Sequence, residues 1–231
     1  MRISGLQKLT LLDFPGHTAC TVFTGGCNYR CPFCHNAELV LRPGEQPEIP
    51  EEEFFALLRK RKGLLDGVAV TGGEPTLQPD LPEFLARIRE LGYAVKLDTN
   101  GTRPDLVKDL VGRDLVQYIA MDIKNAPERY PQTAGVEDPR LEAVQEAAAF
   151  LLEGRVPYEF RTTVVKELHR PEDLEAISRW LAGAEHYYIQ CFTDSGDLIA
   201  PGLSPCSREE LDALLEAVRP HIPAAELRGV D

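Results

Sequence analysis

Three cysteines, Cys27, Cys31 and Cys34, stand in the spacing C-x3-C-x2-C within GGCNYRCPFCHN, directly after an apolar run. Thiolates this close in sequence can converge on one group, and three is one short of the four that close a tetrahedral zinc site or a cubane iron–sulfur site. A [4Fe–4S] cluster held by three cysteines leaves one iron open to a ligand that is not protein, and that open iron points to radical chemistry. Other readings of CPFCH exist. A C-x-x-C redox pair leaves Cys27 without a role. A C-x-x-C-H haem attachment site requires export. A structural zinc site would take its fourth ligand from His35 or Cys20. The spacing favours the open cluster and leaves zinc standing. Cys20 lies inside the apolar run and reads as a small buried hydrophobe. Cys191 reads as core, and Cys206, just before a helical pattern, as a surface or capping-region residue.

Four further segments carry chemistry. TGGEPT (Thr71–Thr76) sets Glu74 beside two glycines, which either form a plain turn or let a ligand approach the main chain. DTNG (Asp98–Gly101) contains Asn-Gly, a hairpin signal, but a helical pattern follows it. MDIK places Asp122 and Lys124 on one face by period two, as an ion pair or as a match for a zwitterionic ligand. Arg161 sits in an otherwise apolar run and needs an anionic partner, from protein or ligand.

These residues fall at the ends of apolar, β-branched runs at 18–24, 67–71, 93–98, 116–122, 157–165 and 186–192. Helical patterns fall between and after them, at about 51–62, 80–91, 104–112, 137–153, 171–182 and 207–220, several opening on Pro-acidic start signals. The alternation predicts an α/β fold with a parallel sheet and right-handed crossovers, curled as a partial TIM-like barrel of six βα units. Ligands of such sheets bind at the carboxyl ends of the strands, where the chemical residues lie. The expected organisation is a single domain over 1–231. It comprises an N-terminal extension (1–16), the βα units (17–192) and a C-terminal loop and helix (193–231).

With 231 residues, 43% hydrophobic and 27% charged, the chain has the composition of an ordinary soluble domain. Its 25 Lys and Arg against 37 Asp and Glu give a net charge of −12, which argues against a nucleic-acid partner. No segment has the ~18 apolar residues of a membrane span and no leader pattern opens the sequence, so a cytoplasmic location is expected. In a reducing compartment, cysteines of this kind serve metal or redox chemistry rather than disulfides.

CNYRCPFC resembles the C-x3-C-x-Φ-C motif of the radical S-adenosylmethionine (SAM) enzymes, with Phe33 at the aromatic position, and TGGEP resembles their segment that receives the methionine amino group. CHN (Cys34, His35, Asn36), DTNG and the D-x-K of MDIK are similar to the activases of glycyl-radical enzymes. The opening SGLQKLTLLDFPG together with VFTGGCNYRCPFCHNAEL looks most like the longer form of anaerobic ribonucleoside-triphosphate reductase activating protein. The resemblance is very specific through residue 40, good to Lys124 and vague beyond Val165. It implies a [4Fe–4S] cluster on Cys27, Cys31 and Cys34 whose open iron chelates the methionine end of SAM. One electron would release methionine and a 5′-deoxyadenosyl radical, which takes a Cα hydrogen from a glycine of the protein partner. The resemblance assigns Gly72, Gly73 and Glu74 to the methionine amino group, and Lys124 and Arg161 to its carboxylate and the nearby sugar. Asn36, Asp98 and Asn100 are further cofactor contacts by the same likeness, and Asp122 and Lys124 the catalytic pair. It also implies a sodium or potassium site on Asp98, the Thr99 hydroxyl and Asp122, since oxygen ligands suit hard cations, and an electron donor such as flavodoxin or ferredoxin. Positions 35–71 contain no cysteine, so the ferredoxin-like insert of some activases is absent. The alternatives are an activase of another glycyl-radical enzyme such as pyruvate formate-lyase, a 7-carboxy-7-deazaguanine synthase-like enzyme, and a non-catalytic zinc or redox module.

Overall fold

The side chains of Val68, Val70, Val95, Leu97, Ile119 and Met121 are all fully buried, and each alternates with a residue facing the other way. This period-two pattern gives every strand an apolar face for the helices and leaves the opposite face free for polar groups. In the computed structural model, which describes residues 1–229, the strands form one sheet in chain order. They are β1 (Ile3–Thr10), β2 (Ala19–Thr24), β3 (Gly67–Gly72), β4 (Ala94–Thr99), β5 (Tyr118–Asp122), β6 (Tyr158–Val164), β7 (Tyr187–Cys191) and β8 (Glu226–Arg228). β1 runs antiparallel to β2, and every later neighbour pairs in parallel.

The helices are α1 (Ala37–Leu41), α2 (Glu51–Lys60), α3 (Leu81–Glu90), α4 (Pro104–Gly112), α5 (Tyr130–Ala134), α6 (Leu141–Leu152), α7 (Pro171–Trp180) and α8 (Arg208–Val218). Their ends follow ordinary rules. α2 opens on Pro50 with three glutamates in its first turn and ends on Arg59 and Lys60, matching the helix dipole at both ends. α8 opens on a Ser207–Glu210 capping box. Phe54, Phe55 and Phe84 stack against one another between α2 and α3, with ring centroids 5.1–5.5 Å apart, and belong to the same apolar core as β3 and β4.

The six expected βα units are present, each strand boundary within two residues of the expected one. The terminal segments differ from expectation. The N-terminal extension contains β1, and the C-terminal segment contains β8, so the sheet has eight strands. β1 reads ISGLQKLT, with Gln7, Lys8 and Leu9 exposed, as an edge strand carries one solvated face. β8 is three residues long, too short for a periodicity. After β1 the chain turns through Asp13 and Phe14. Phe14 is buried against Gly67, where an added Cβ would lie 2.8 Å from its ring, and against Tyr118 at 6.1 Å between centroids. It packs beneath the amino end of β3. Among the described residues no helix is long and apolar enough to cross a membrane.

Candidate active site

The loop between β2 and α1 carries the three cysteines and is held from three directions. Gly26 N–H donates to Leu39 O at 2.8 Å, Arg30 N–H to Ala134 O at 2.8 Å, and Ala200 N–H to Pro32 O at 3.0 Å. The Arg30 guanidinium folds back on the carbonyls of Cys27 and Tyr29 at 2.7 Å each. The result is a cleft of about 180 Å³ at the carboxyl ends of the strands, with Cys27, Cys31 and Cys34 on one wall. Among the described residues no fourth cysteine lines it. Cys20 lies on the helix-facing side of β2, fully buried, and His35 stacks on Phe192 at 5.7 Å. Cys206, expected near the surface, is buried against a separate cavity beside α8.

Burial pushes the Cys27 thiol up to about 12 and Cys31 up to about 11, and it raises Cys34 as well, with Lys124 the opposing cation at each. The thiols alone are therefore neutral, and a bound metal reverses this by deprotonating its ligands. Among the described residues no three Cys, His, Asp or Glu side chains converge at the distance of a single ion. A lone zinc needs such convergence, with Zn–S bonds of ~2.3 Å. The three thiols on one wall are the donor set that a [4Fe–4S] cluster with three protein ligands would take.

The TGGEP turn follows β3 and packs directly on the cysteine loop. Glu74 N–H donates to Gly26 O at 2.8 Å and Gly73 N–H to Thr24 O at 2.9 Å. A Cβ on Gly73 would lie 2.0 Å from Gly26 O, and one on Gly72 2.3 Å from Thr24 backbone atoms; Gly72 also has φ +124°. Both glycines are thus required by the close approach of two backbones, before any ligand enters. The Asn36 amide donates to Gly72 O at 3.0 Å, tying the start of α1 to the same turn.

Glu74 is 1% exposed and lines the cleft. Its Oε1 accepts from Thr76 N–H (3.0 Å), the Thr76 hydroxyl (2.6 Å) and the Thr99 hydroxyl (2.8 Å), and its Oε2 from Asn100 N–H at 2.7 Å. Every one of these donors is neutral, and among the described residues no Lys, Arg or His pairs with it. Burial raises its pKa while the hydrogen bonds act the other way. A buried carboxylate with oriented neutral donors and no counter-charge fits an incoming ammonium group.

The opposite wall is built of charges. Lys124 pairs with Asp122 at 3.1 Å, and Arg161 Nε donates to Asp122 Oδ1 at 2.9 Å while its NH1 reaches Asp98 at 3.4 Å and Glu159 at 3.8 Å. Lys96, 2% exposed, pairs with Asp98. Arg228 of β8 grips Glu159 with two bonds of 3.0 Å, and Tyr118 OH donates to the same carboxylate at 3.1 Å. Burial opposes the charged form of Asp122, but Arg161 and Lys124 outweigh it and hold its pKa down to about 2. Asp98 is lowered in the same way by Arg161 and Lys96. Lys124 and Arg161 are shifted upward, because their carboxylate partners outweigh burial.

The structure therefore brings Cys27, Cys31, Cys34, Asn36, Gly72, Gly73, Glu74, Asp98, Thr99, Asn100, Asp122 and Lys124 to one cleft. Arg161 lies one step beneath, bonded to protein carboxylates. Thr99 is separated in role from the two aspartates, because its hydroxyl turns to Glu74. Sequence reasoning did not find Lys96, Asn28, Thr102, His169 or the Glu159–Arg228 pair. Lys96 was findable, since it shares a face with Asp98 by period two. His169 joins the loops after β5 and β6 by bonding Lys124 O at 2.9 Å and accepting Val165 N–H at 3.0 Å, and nothing local in the sequence marks it.

A family model described as the Radical SAM superfamily matches residues 21–181. The chain belongs to the radical SAM superfamily. A protein of Methanocaldococcus jannaschii named as a glycyl-radical enzyme activating enzyme is 31% identical over 194 residues, covering 82% of this chain and 79% of that one. This radical SAM chain groups with such activating enzymes. A 7-carboxy-7-deazaguanine synthase of Methanopyrus kandleri is 27% identical over 206 residues, covering 79% and 76% of the two chains. A domain of a pyruvate-formate lyase-activating enzyme from Bacteroides vulgatus superposes with a TM-score of 0.57 at 18% identity, over 71% of this chain and 99% of that chain, which shows the shared fold. As a radical SAM protein the chain is an enzyme that uses a [4Fe–4S] cluster and SAM, and the three-thiol wall suits such a cluster.

Proposed function

We propose that this enzyme installs a glycyl radical on a protein partner in the cytoplasm, and that the partner is the anaerobic ribonucleoside-triphosphate reductase. The observation that carries the reading is the pairing of a three-thiol wall with Glu74, a buried carboxylate lacking a cation, across one cleft. When bound, the cluster and SAM supply the one-electron chemistry that takes a hydrogen atom from a glycine Cα. Cys27, Cys31 and Cys34 would hold the cluster. Glu74 would accept the methionine ammonium, and Asn36 would keep the Gly72 carbonyl turned toward the cysteine loop. Lys124, held charged by Asp122, would face the methionine carboxylate, while Arg161 keeps Asp98 and Asp122 in place beneath it. A sodium or potassium ion on Asp98, Thr99 and Asp122 would share those carboxylates with Arg161 and Lys96, so it belongs to the proposal as an added ligand rather than as the charge that balances them. Flavodoxin or ferredoxin would supply the electron.

The choice of the reductase rests on the likeness of SGLQKLTLLDFPG, a segment that here forms β1 and the loop bearing Phe14. A second reading, a small-molecule enzyme of the deazaguanine-synthase kind, draws on the Methanopyrus kandleri relative. Mixing the reduced, reconstituted protein with SAM and the reductase should give a glycine-centred paramagnetic signal and one 5′-deoxyadenosine per radical. SAM cleavage with no such signal on the reductase, and with a signal on pyruvate formate-lyase instead, would reassign the partner. Turnover of a deazapurine precursor with no protein radical would establish the second reading.

A further inference from the structure

Asn100 follows β4 and is 5% exposed, and each polar group of its side chain has one direction open to it. Its Oδ1 accepts from Thr102 twice, from the backbone N–H at 3.1 Å and from the hydroxyl at 2.7 Å. Two donors on that side fix the amide orientation, so Nδ2 must face the other way. There it donates to Asn28 Oδ1 at 2.9 Å and lies 4.0 Å from Cys27 Sγ, at hydrogen-bonding distance for sulfur. Asn28 closes the ring by donating to Thr102 Oγ1 at 3.1 Å. The backbone N–H of Asn100 is already bound to Glu74. The side chain thus has no spare group for a ligand, and its one loosely engaged hydrogen points at a cysteine sulfur. Tyr29 N–H reaches the same sulfur at 3.3 Å.

We infer that Asn100 is a positioning residue for the cluster, donating its second amide hydrogen to the Cys27 thiolate and raising the cluster's reduction potential, and that it does not contact SAM. This rests on the proposed function. Reduction adds negative charge to the cluster and its sulfurs, and a fixed donor at a thiolate stabilises the more negative state. The effect is greater in a cleft where water is scarce. It also offsets Glu74, whose negative charge beside the cluster would make reduction harder.

The test is a redox titration of the reconstituted protein, followed by the paramagnetic signal of the reduced cluster with no SAM present. Asn100→Ala should move the midpoint to a more negative value while SAM affinity stays within about twofold of wild type. Thr102→Val, which leaves Asn100 in place and removes one of the two donors that orient it, should move the midpoint the same way by less. An unmoved midpoint in Asn100→Ala overturns the inference, as does a weakened SAM affinity with the midpoint unchanged. If Asn100→Ala fails to assemble a cluster, an unmoved midpoint in Thr102→Val overturns it instead. Wild-type protein that takes up no four-iron cluster, or that carries one without yielding a glycyl radical, is a failure of the proposed function. An unmoved midpoint in a cluster-bearing variant is a failure of this inference alone.

Discussion

Around the cysteine loop, buried polar groups are satisfied by neutral partners: Asn28, Asn36, Thr76, Thr99, Asn100 and Thr102 form a lattice of amides and hydroxyls about Glu74. Between β4 and β8 they are satisfied by opposite charges, in a lattice that runs from Lys96 through Asp98, Arg161, Asp122 and Glu159 to Arg228. The difference separates two jobs. A neutral lattice leaves Glu74 with an unbalanced charge that a ligand can complete. A charge-compensated lattice has little left to offer a ligand, and its members cannot be removed singly without stranding a charge.

The largest effect expected is on the thiol wall. Alanine at Cys27, Cys31 or Cys34 should abolish the brown absorption of the reconstituted protein and all reductive cleavage of SAM, while the far-ultraviolet circular dichroism keeps its wild-type shape. A variant that retained full cleavage would show that a different residue holds the cluster. Next in size is Arg161→Met, which leaves Asp98 and Asp122 facing each other with their shared guanidinium gone. Breaking a buried pair from one side costs about 3–5 kcal/mol, so the urea midpoint of the metal-free protein should fall steeply. A loss below about 1 kcal/mol, the worth of an exposed pair, would mean that the charge lattice does not hold the fold together.

Glu74→Gln probes the other lattice. It preserves shape and one acceptor and removes the charge. A hydrogen bond to a charged group is worth about 1.5–3 kcal/mol, so SAM affinity should drop roughly ten- to a hundredfold, while the new amide, set against the Asn100 N–H, lowers the urea midpoint less than Arg161→Met does. The reverse pattern, an unstable protein that binds SAM normally, would make Glu74 part of the scaffold and erase the contrast between the two walls.

How much of this was readable from sequence differs between the walls in the same way. The cysteine spacing, TGGEP, DTNG and MDIK are local, and each follows a strand whose apolar period announces its end. The cleft could therefore be assembled on paper, strand end by strand end. The charge lattice could not, because its links cross strands: Arg161 meets Asp98 two strands away, and Arg228 comes from a three-residue edge strand with no period of its own. Gly72 and Gly73 are instructive in a different sense. Their type was legible, with a turn and a ligand approach both open as reasons for it, and the fold adds that Thr24 and Gly26 occupy the space a side chain would need. A sequence reports that a backbone approaches closely at such a position, and only the fold says which backbone.

The smallest effect is the acid sensitivity of the charge lattice. Asp122 is held down to about 2 in the folded protein by Arg161 and Lys124, against burial that acts the other way. Its unfolded value is about 3.9. A carboxylate with a depressed folded pKa stabilises the protein fully above the unfolded pKa and loses that contribution as pH falls through the folded one. The window here runs from roughly pH 4 down to pH 2, and the stabilisation at stake is about 2.6 kcal/mol. Unfolding free energies of the metal-free protein should decline more steeply across that window in wild type than in Asp122→Asn, which has no proton to gain. Glu74→Gln should not reproduce the difference, because burial raises the Glu74 carboxyl and no cation beside it depresses it. Parallel pH profiles for wild type and Asp122→Asn would show that Arg161 and Lys124 do not hold the Asp122 carboxyl down, and the division of the cleft into a neutral wall and a charged wall would fail at its centre.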